Sequence, residues 1–180
     1  MPLFTGIFAS AISGNLTPAD AGSMFPLGEF TLASAQSSIT FSNIPQTYTH
    51  LQIRGHINAP DDWSYRFNSD SGSNYSAHLL YGGGSSVTAS ALAPLSRGYI
   101  GYGAGSGNLG SFVLDILDYR NTNKYTTTKA LAGYDANGSG IIMLNSASWR
   151  NTAAITSIQI FPSSGNLAAN SAFQLYGVNA

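Results

Sequence analysis

The groups able to do acid–base or metal chemistry in this chain are few. There are seven aspartates, a single glutamate (Glu29), three histidines (His50, His56 and His78) and no cysteine. Asp61 and Asp62 are adjacent and follow Pro60, where turn chemistry accounts for them. Asp115 and Asp118, in LDILDY, stand three apart, so on a strand they point to opposite faces and cannot form the facing carboxylate pair of a glycosidase. An aspartate between Leu114 and Ile116 needs a partner if buried, and Arg54, Arg66 and Lys129 are the candidates. His50 and His56 share a parity on one expected strand, but six residues at about 3.3 Å each put them roughly 20 Å apart, too far for one zinc ion. NSDSGSN at 68–74 alternates oxygen ligands around Asp70, as a calcium loop does. Such a loop takes several carboxylates and a bidentate glutamate, so a hairpin turn capped by its own Asp and Asn is the expectation. No GxSxG or Walker-type loop occurs, and the glycine-rich segments, expected between strands with no helix to follow, read as loops and not as a dinucleotide fingerprint. The spacing points to no catalytic residue, no cofactor and no metal site, and the chain reads as a non-enzyme.

The elements that position these groups read as strands. Leu51, Ile53 and Gly55 alternate against His50, Gln52, Arg54 and His56, a period of two with one polar face. Trp63, Tyr65 and Phe67 repeat the alternation, and Ile39 and Phe41 form a short run stopped by Pro45. Further strands are expected near 75–81, 86–92, 98–103, 111–119, 125–134, 140–149, 154–161 and 171–178. SVTASALAPL (86–95) is rich in small residues and leaves room for a short helix or turn instead. Short strands at roughly ten-residue spacing describe an antiparallel sandwich, barrel or jelly roll. Trp63, Tyr65, Tyr99 and Tyr102 are the aromatics that a solvent-facing strand or loop would offer to a glycan, against the alternative that they face a core.

Composition narrows the partners. Lys and Arg number 7 and Asp and Glu 8, leaving a net charge of −1 and only 8% charged residues, against roughly 25% in an average soluble domain. No basic face is available to displace phosphate counterions, so nucleic acid is not an expected partner. Little self-repulsion opposes association of copies. The opening MPLFTGIFASAI is apolar but lacks a basic n-region, and it is too short to span a bilayer, so neither secretion nor a membrane is expected. Residues 1–23 read as an extended arm and polar linker, and 24–180 as one β domain. Leu3, Phe4, Ile7, Phe8 and Ile12 are the arm's candidate partner-binding residues, free to fold back or to dock on a neighbour. Covering roughly 500 Å² of such an arm contributes on the order of 12 kcal/mol gross. Ordering about twelve residues costs a comparable amount, so the arm is expected to be fixed only against a partner.

Several stretches resemble small β-rich virion proteins of tailed bacteriophages, of the tail-fibre-like or capsid-decoration kind. They are SITFSNIPQTYTHLQIRG (38–55), RFNSDSGSNYSAHLLYG (66–82), LDILDYRNTNKYTTTKALAGYDANGSG (114–140), WRNTAAITSIQIFP (149–162) and FQLYGVN (173–179), together with the opening LFTGIFASAISG. The resemblance implies an antiparallel β-sandwich of jelly-roll type located in the virion and assembled in the host cytoplasm. It carries no catalytic residues with it. The expected role is a capsid decoration, or cement, protein bound to the major shell, associating as a homo-oligomer, with a trimer favoured. The alternative is a tail-fibre or collar module that holds host surface glycans.

Overall fold

The computed structural model describes residues 23–105 and 107–179. Twelve strands occur among them and no helix: β1 (Met24–Thr31), β2 (Ile39–Phe41), β3 (His50–Ile57), β4 (Trp63–Phe67), β5 (Tyr75–Gly82), β6 (Val87–Leu95), β7 (Gly98–Gly101), β8 (Gly110–Leu117), β9 (Thr126–Asp135), β10 (Gly140–Trp149), β11 (Ile158–Pro162) and β12 (Ala172–Val178). They form two antiparallel sheets. The larger has eight strands in the order β1-β12-β3-β8-β9-β10-β5-β6, and the smaller has four, β2-β11-β4-β7. The arm residues Leu3, Phe4, Ile7, Phe8 and Ile12 lie outside the described residues.

Alternation decides which side chains meet between the sheets. From the smaller sheet come Ile39 and Phe41, Ile158 and Ile160, and Trp63, Tyr65 and Phe67. From the larger come Leu51, Ile53 and Ile57, then Phe112, Leu114 and Ile116, with Phe173 and Leu175. A second, smaller cluster lies under the far end of the larger sheet, where Ala77 and Leu79 of β5 and Met143 and Ala147 of β10 receive Tyr99 of β7. The rings need room, and glycine supplies it: a side-chain carbon at Gly110 would collide with the indole of Trp63. Strand β9 also presents a run of small groups inward, Thr126, Thr128, Ala130 and Ala132, before Tyr134 at its end. The Tyr65 hydroxyl shares a buried hydrogen bond of 2.8 Å with Thr128 Oγ1.

The turns follow local chemistry. Asn137 and Gly138 both have positive φ, 57° and 97°, between Ala136 and Ser139, as a two-residue hairpin turn requires. The 68–74 segment is the expected turn between β4 and β5. The Asp70 carboxylate accepts from Gly72 N at 2.8 Å, Asn74 Nδ2 at 2.9 Å and the indole Nε1 of buried Trp149 at 2.8 Å.

The strand expected at 86–92 is β6, and SVTASALAPL forms no helix, because its backbone pairs with β5 from Gly82↔Val87 to Ala77↔Leu92. Two expectations need correction. Asp115 is half-buried on the outer face and needs no arginine. It accepts from Gln52 Nε2 at 2.7 Å and stands opposite Lys129, while Arg66 belongs to the other sheet. Asp118 lies one residue past β8 with φ 51°, where it takes the Lys124 ammonium and approaches His50 Nδ1 at 3.4 Å.

Candidate interaction surface

The smaller sheet packs on one face of the larger, and among the described residues no other element covers the larger sheet's opposite, outer face. The registers arrange its outward side chains in rows that cross the strands. One row runs Ala89, Leu80, Leu144, Leu131 and Val113 across β6, β5, β10, β9 and β8, then continues to Arg54 of β3 and Gln174 of β12. The next runs Val87, Gly82, Ile142, Gly133 and Ser111 and continues to His56 of β3 and Ala172 of β12.

The two halves of this face differ in kind. Over β12 and β3 most of the side chains are polar, and several hydrogen-bond one another. Arg54 Nε donates to Gln52 Oε1 at 2.7 Å, and the Tyr176 hydroxyl donates to Gln174 Oε1 at 3.1 Å. Over β9, β10, β5 and β6 they are aliphatic and open. Leu80 is 48% exposed, Leu131 52%, Leu144 53%, Ile142 63% and Val87 71%. Leu144 stands directly opposite Leu80 on one side and Leu131 on the other, so the three form one unbroken apolar ridge. Glycines 82 and 133 flank Ile142 and leave it as a knob. Beside it lies an open groove of about 460 Å³ lined by Ser111, Val113, Leu131, Gly133 and Ile142. A polar row of His78, Ser146, Lys129, Asp115 and Gln52 borders the ridge. Contiguous exposed aliphatic surface rimmed by polar groups is the mark of a contact surface.

Sequence reasoning passed over this ridge, although signals for it exist. IIML at 141–144 is a run of four apolar residues on one strand, and Leu79–Leu80 is a pair. A strand alternates faces, so half of each run must point away from the core. On β9 the hydrophobic order is inverted, with Ala130 and Ala132 inside and Leu131 outside, because the Trp63 and Tyr65 rings already fill the interior.

The aromatics expected as glycan contacts sit elsewhere. Trp63 and Tyr65 have no exposed surface and Tyr99 is buried, so none of the three presents a ring to a sugar. Alternation placed Trp63 and Tyr65 on one face, which the opposing sheet made the interior, while Tyr99, opposite Ser64 in the β4–β7 register, is buried in the second cluster. Tyr102 is half-buried, edge-on to Tyr81 at 5.0 Å and to Tyr99 at 5.8 Å between ring centres. Burial pushes its phenol up to about 12.

The paired carboxylates are separated in character. Asp61 accepts from the Asp62 backbone N–H and from Ser164 Oγ, both of which hold it below the ordinary carboxylate range. Burial pushes Asp62 upward, against the pull of the Tyr99 hydroxyl, and the charge of Asp61 adds to the push. Among the described residues no three His, Cys, Asp or Glu side chains gather as a metal site, and no helix is long and apolar enough to cross a membrane. No protein-family model, curated protein or solved structure matches this chain.

Proposed function

We propose that this chain is a structural component of a bacteriophage virion, a capsid decoration protein that holds the major shell through the open face of β9, β10, β5 and β6. The observation that carries this reading is the aliphatic ridge Leu80–Leu144–Leu131 with Ile142 and Val87 beside it. Covering a residue that is already half-buried contributes about 1 kcal/mol, so the five together give about 5 kcal/mol gross. That is no more than the lower end of the cost of association. One copy alone is therefore a weak binder, and firm attachment needs added contacts or several linked copies. The apolar arm, with Leu3, Phe4, Ile7, Phe8 and Ile12, is the natural source of added contact in this reading.

The fold proposed with this role is a jelly roll carrying two inserted hairpins. With β5–β6 and β9–β10 set aside, eight strands remain, as β1-β12-β3-β8 in one sheet and β2-β11-β4-β7 in the other. The chain changes sheet at every step among these eight except from β4 to β7, which supports an arrangement of two Greek keys. The insertions are what widen one sheet to eight strands, and they carry the apolar ridge. The virion assignment itself rests on the resemblance of the quoted segments, since a fold hosts many functions.

The test is purification of assembled particles and quantification of this chain against the main shell subunit. Hundreds of copies per particle support decoration. A handful of copies moves the protein to a collar or tail position. Particles that lack the chain altogether refute the virion role.

A further inference from the structure

Among the described residues, the free edges of the two sheets are unequal. A sheet edge exposes unpaired backbone donors and acceptors, and proteins blunt such edges by shortness, charge, proline or a bulge. In the smaller sheet the edge strands β2 and β7 have three and four residues. In the larger sheet β1 carries Pro26, a register shift between Pro26 and Gly28, and Glu29. The opposite edge, β6, has nine residues and no charge. Its one proline, Pro94, and its register shift both fall at the C-terminal end. Val87 to Leu92 is thus a regular, uncharged run with none of the usual guards, and the outward side chains Val87, Ala89 and Ala91 are exposed.

We infer that β6 is the seam of a two-fold dimer of this chain, formed by antiparallel pairing of β6 with β6 of a second copy. A second copy is the occupant because an antiparallel edge is self-complementary under a two-fold axis perpendicular to the sheet. Nothing electrostatic opposes it: the run has no charged residue and the whole chain a net charge of −1. That axis keeps both outer faces on the same side, so the two ridges join into one apolar floor across β9-β10-β5-β6 and its symmetry mate. The pairing closes on itself with two copies and takes the place of the trimer expected from the sequence.

The size of the seam sets its strength. The six regular residues Val87 to Leu92 span about 20 Å, and one sheet layer is about 10 Å deep, so the seam covers roughly 200 Å² of cross-section per copy. That is small beside the roughly 800 Å² per partner of a standard interface. The dimer is accordingly concentration-dependent in solution and complete where copies are crowded. On the reading proposed above, joining the ridges doubles the area offered to the shell; the dimer itself does not depend on that reading.

The chain has no cysteine, so an introduced one reports cleanly. Residues opposed across an antiparallel pair have Cα atoms about 4.5–5.5 Å apart, within disulfide reach. Val87→Cys, Ala89→Cys and Ala91→Cys, made singly and as adjacent pairs in the full chain, are oxidised in the absence of particles. At least one of them is expected to form a reducible covalent dimer, while Thr31→Cys on β1 does not. Sedimentation of the wild type up to about 300 μM should show a reversible monomer–dimer equilibrium. Ala89→Lys should raise its dissociation constant about tenfold, by opposing like charges across the seam, with the thermal unfolding midpoint unchanged. A wild type that stays monomeric throughout, or cysteines on β6 that crosslink no faster than Thr31→Cys, overturns the inference. A dimer that survives Ala89→Lys but is lost in Phe4→Asp/Phe8→Asp also overturns it, because the arm would then be the occupant.

Discussion

Replacing Asp70 tests whether a polar knot at the β4–β5 turn fastens the two sheets. Its carboxylate takes three donors, Gly72 N at 2.8 Å, Asn74 Nδ2 at 2.9 Å and Trp149 Nε1 at 2.8 Å, and Trp149 is fully buried against Phe67 and Tyr75. In Asp70→Asn the amide oxygen can still serve the indole, but the acceptor loses its charge and the Gly72 N–H meets an amide donor. Exchanging charge-assisted bonds for neutral ones and losing one outright costs about 2 kcal/mol. In Asp70→Ala the buried indole N–H has no partner and the cost rises to about 3 kcal/mol. For a chain of this size about 2–4 °C of Tm goes with each kcal/mol. The expected falls are therefore about 4–8 °C for Asp70→Asn and about 6–12 °C for Asp70→Ala. Urea unfolding followed by tryptophan fluorescence measures both, since Trp63 and Trp149 are the only tryptophans and both are buried. An Asp70→Ala protein within about 0.5 kcal/mol of wild type would refute the reasoning, as would a reversed order of the two variants.

Three further outcomes follow from the interior and from the carboxylates. Gly110→Ala drives a methyl into the Trp63 indole and should cost about 1–3 kcal/mol by thermal or urea unfolding. Thr128→Val leaves the buried Tyr65 hydroxyl without its partner and should cost about 1–3 kcal/mol in the same assay. The third outcome is a pH dependence with a definite sign. Asp61 is lowered by its backbone and Ser164 hydrogen bonds, and Asp118 by Lys124; at Asp70 burial pushes up but is outweighed by the Asn74, Trp149 and Gly72 donors. Their stabilisation is complete above the ordinary aspartate value of about 3.9 and is lost as pH falls through their folded-state values. Asp62 is raised, so it favours the folded state while protonated and costs stability as pH rises above about 3.9. Urea midpoints should therefore fall between pH 4 and pH 2, less steeply in Asp70→Asn. Asp62→Asn should gain stability over wild type at pH 7 and lose that advantage at pH 3.

Much of the fold was legible because strands write their period into the chain. His50–Ile57 and Trp63–Phe67 alternate cleanly, and the positions read for β5 and β8 to β12 fall within a few residues of those observed. β6 was ambiguous because Ser, Thr and Ala carry no burial signal, and its strand character comes from pairing with β5. Alternation also says that Trp63 and Tyr65 share a face without saying what covers it. That choice is made by the opposing sheet, and it turned expected contact residues into core. The ridge was written in IIML and in Leu79–Leu80, but deciding which half of each run faces solvent requires the register across β5, β10 and β9.

The claim on which the account rests is that the open face of the inserted hairpins is the contact surface. Leu144→Lys places a charge at the centre of the ridge on a residue already 53% exposed, so its Tm should stay within about 2 °C of wild type. Thr40→Lys, at the exposed central residue of β2 in the smaller sheet, serves as control. Both full-length variants are added to particles that lack the protein, and bound copies are counted after sedimentation. Loss of about nine-tenths of the wild-type occupancy for Leu144→Lys alone is the predicted result, and full occupancy by a folded Leu144→Lys protein would contradict the account.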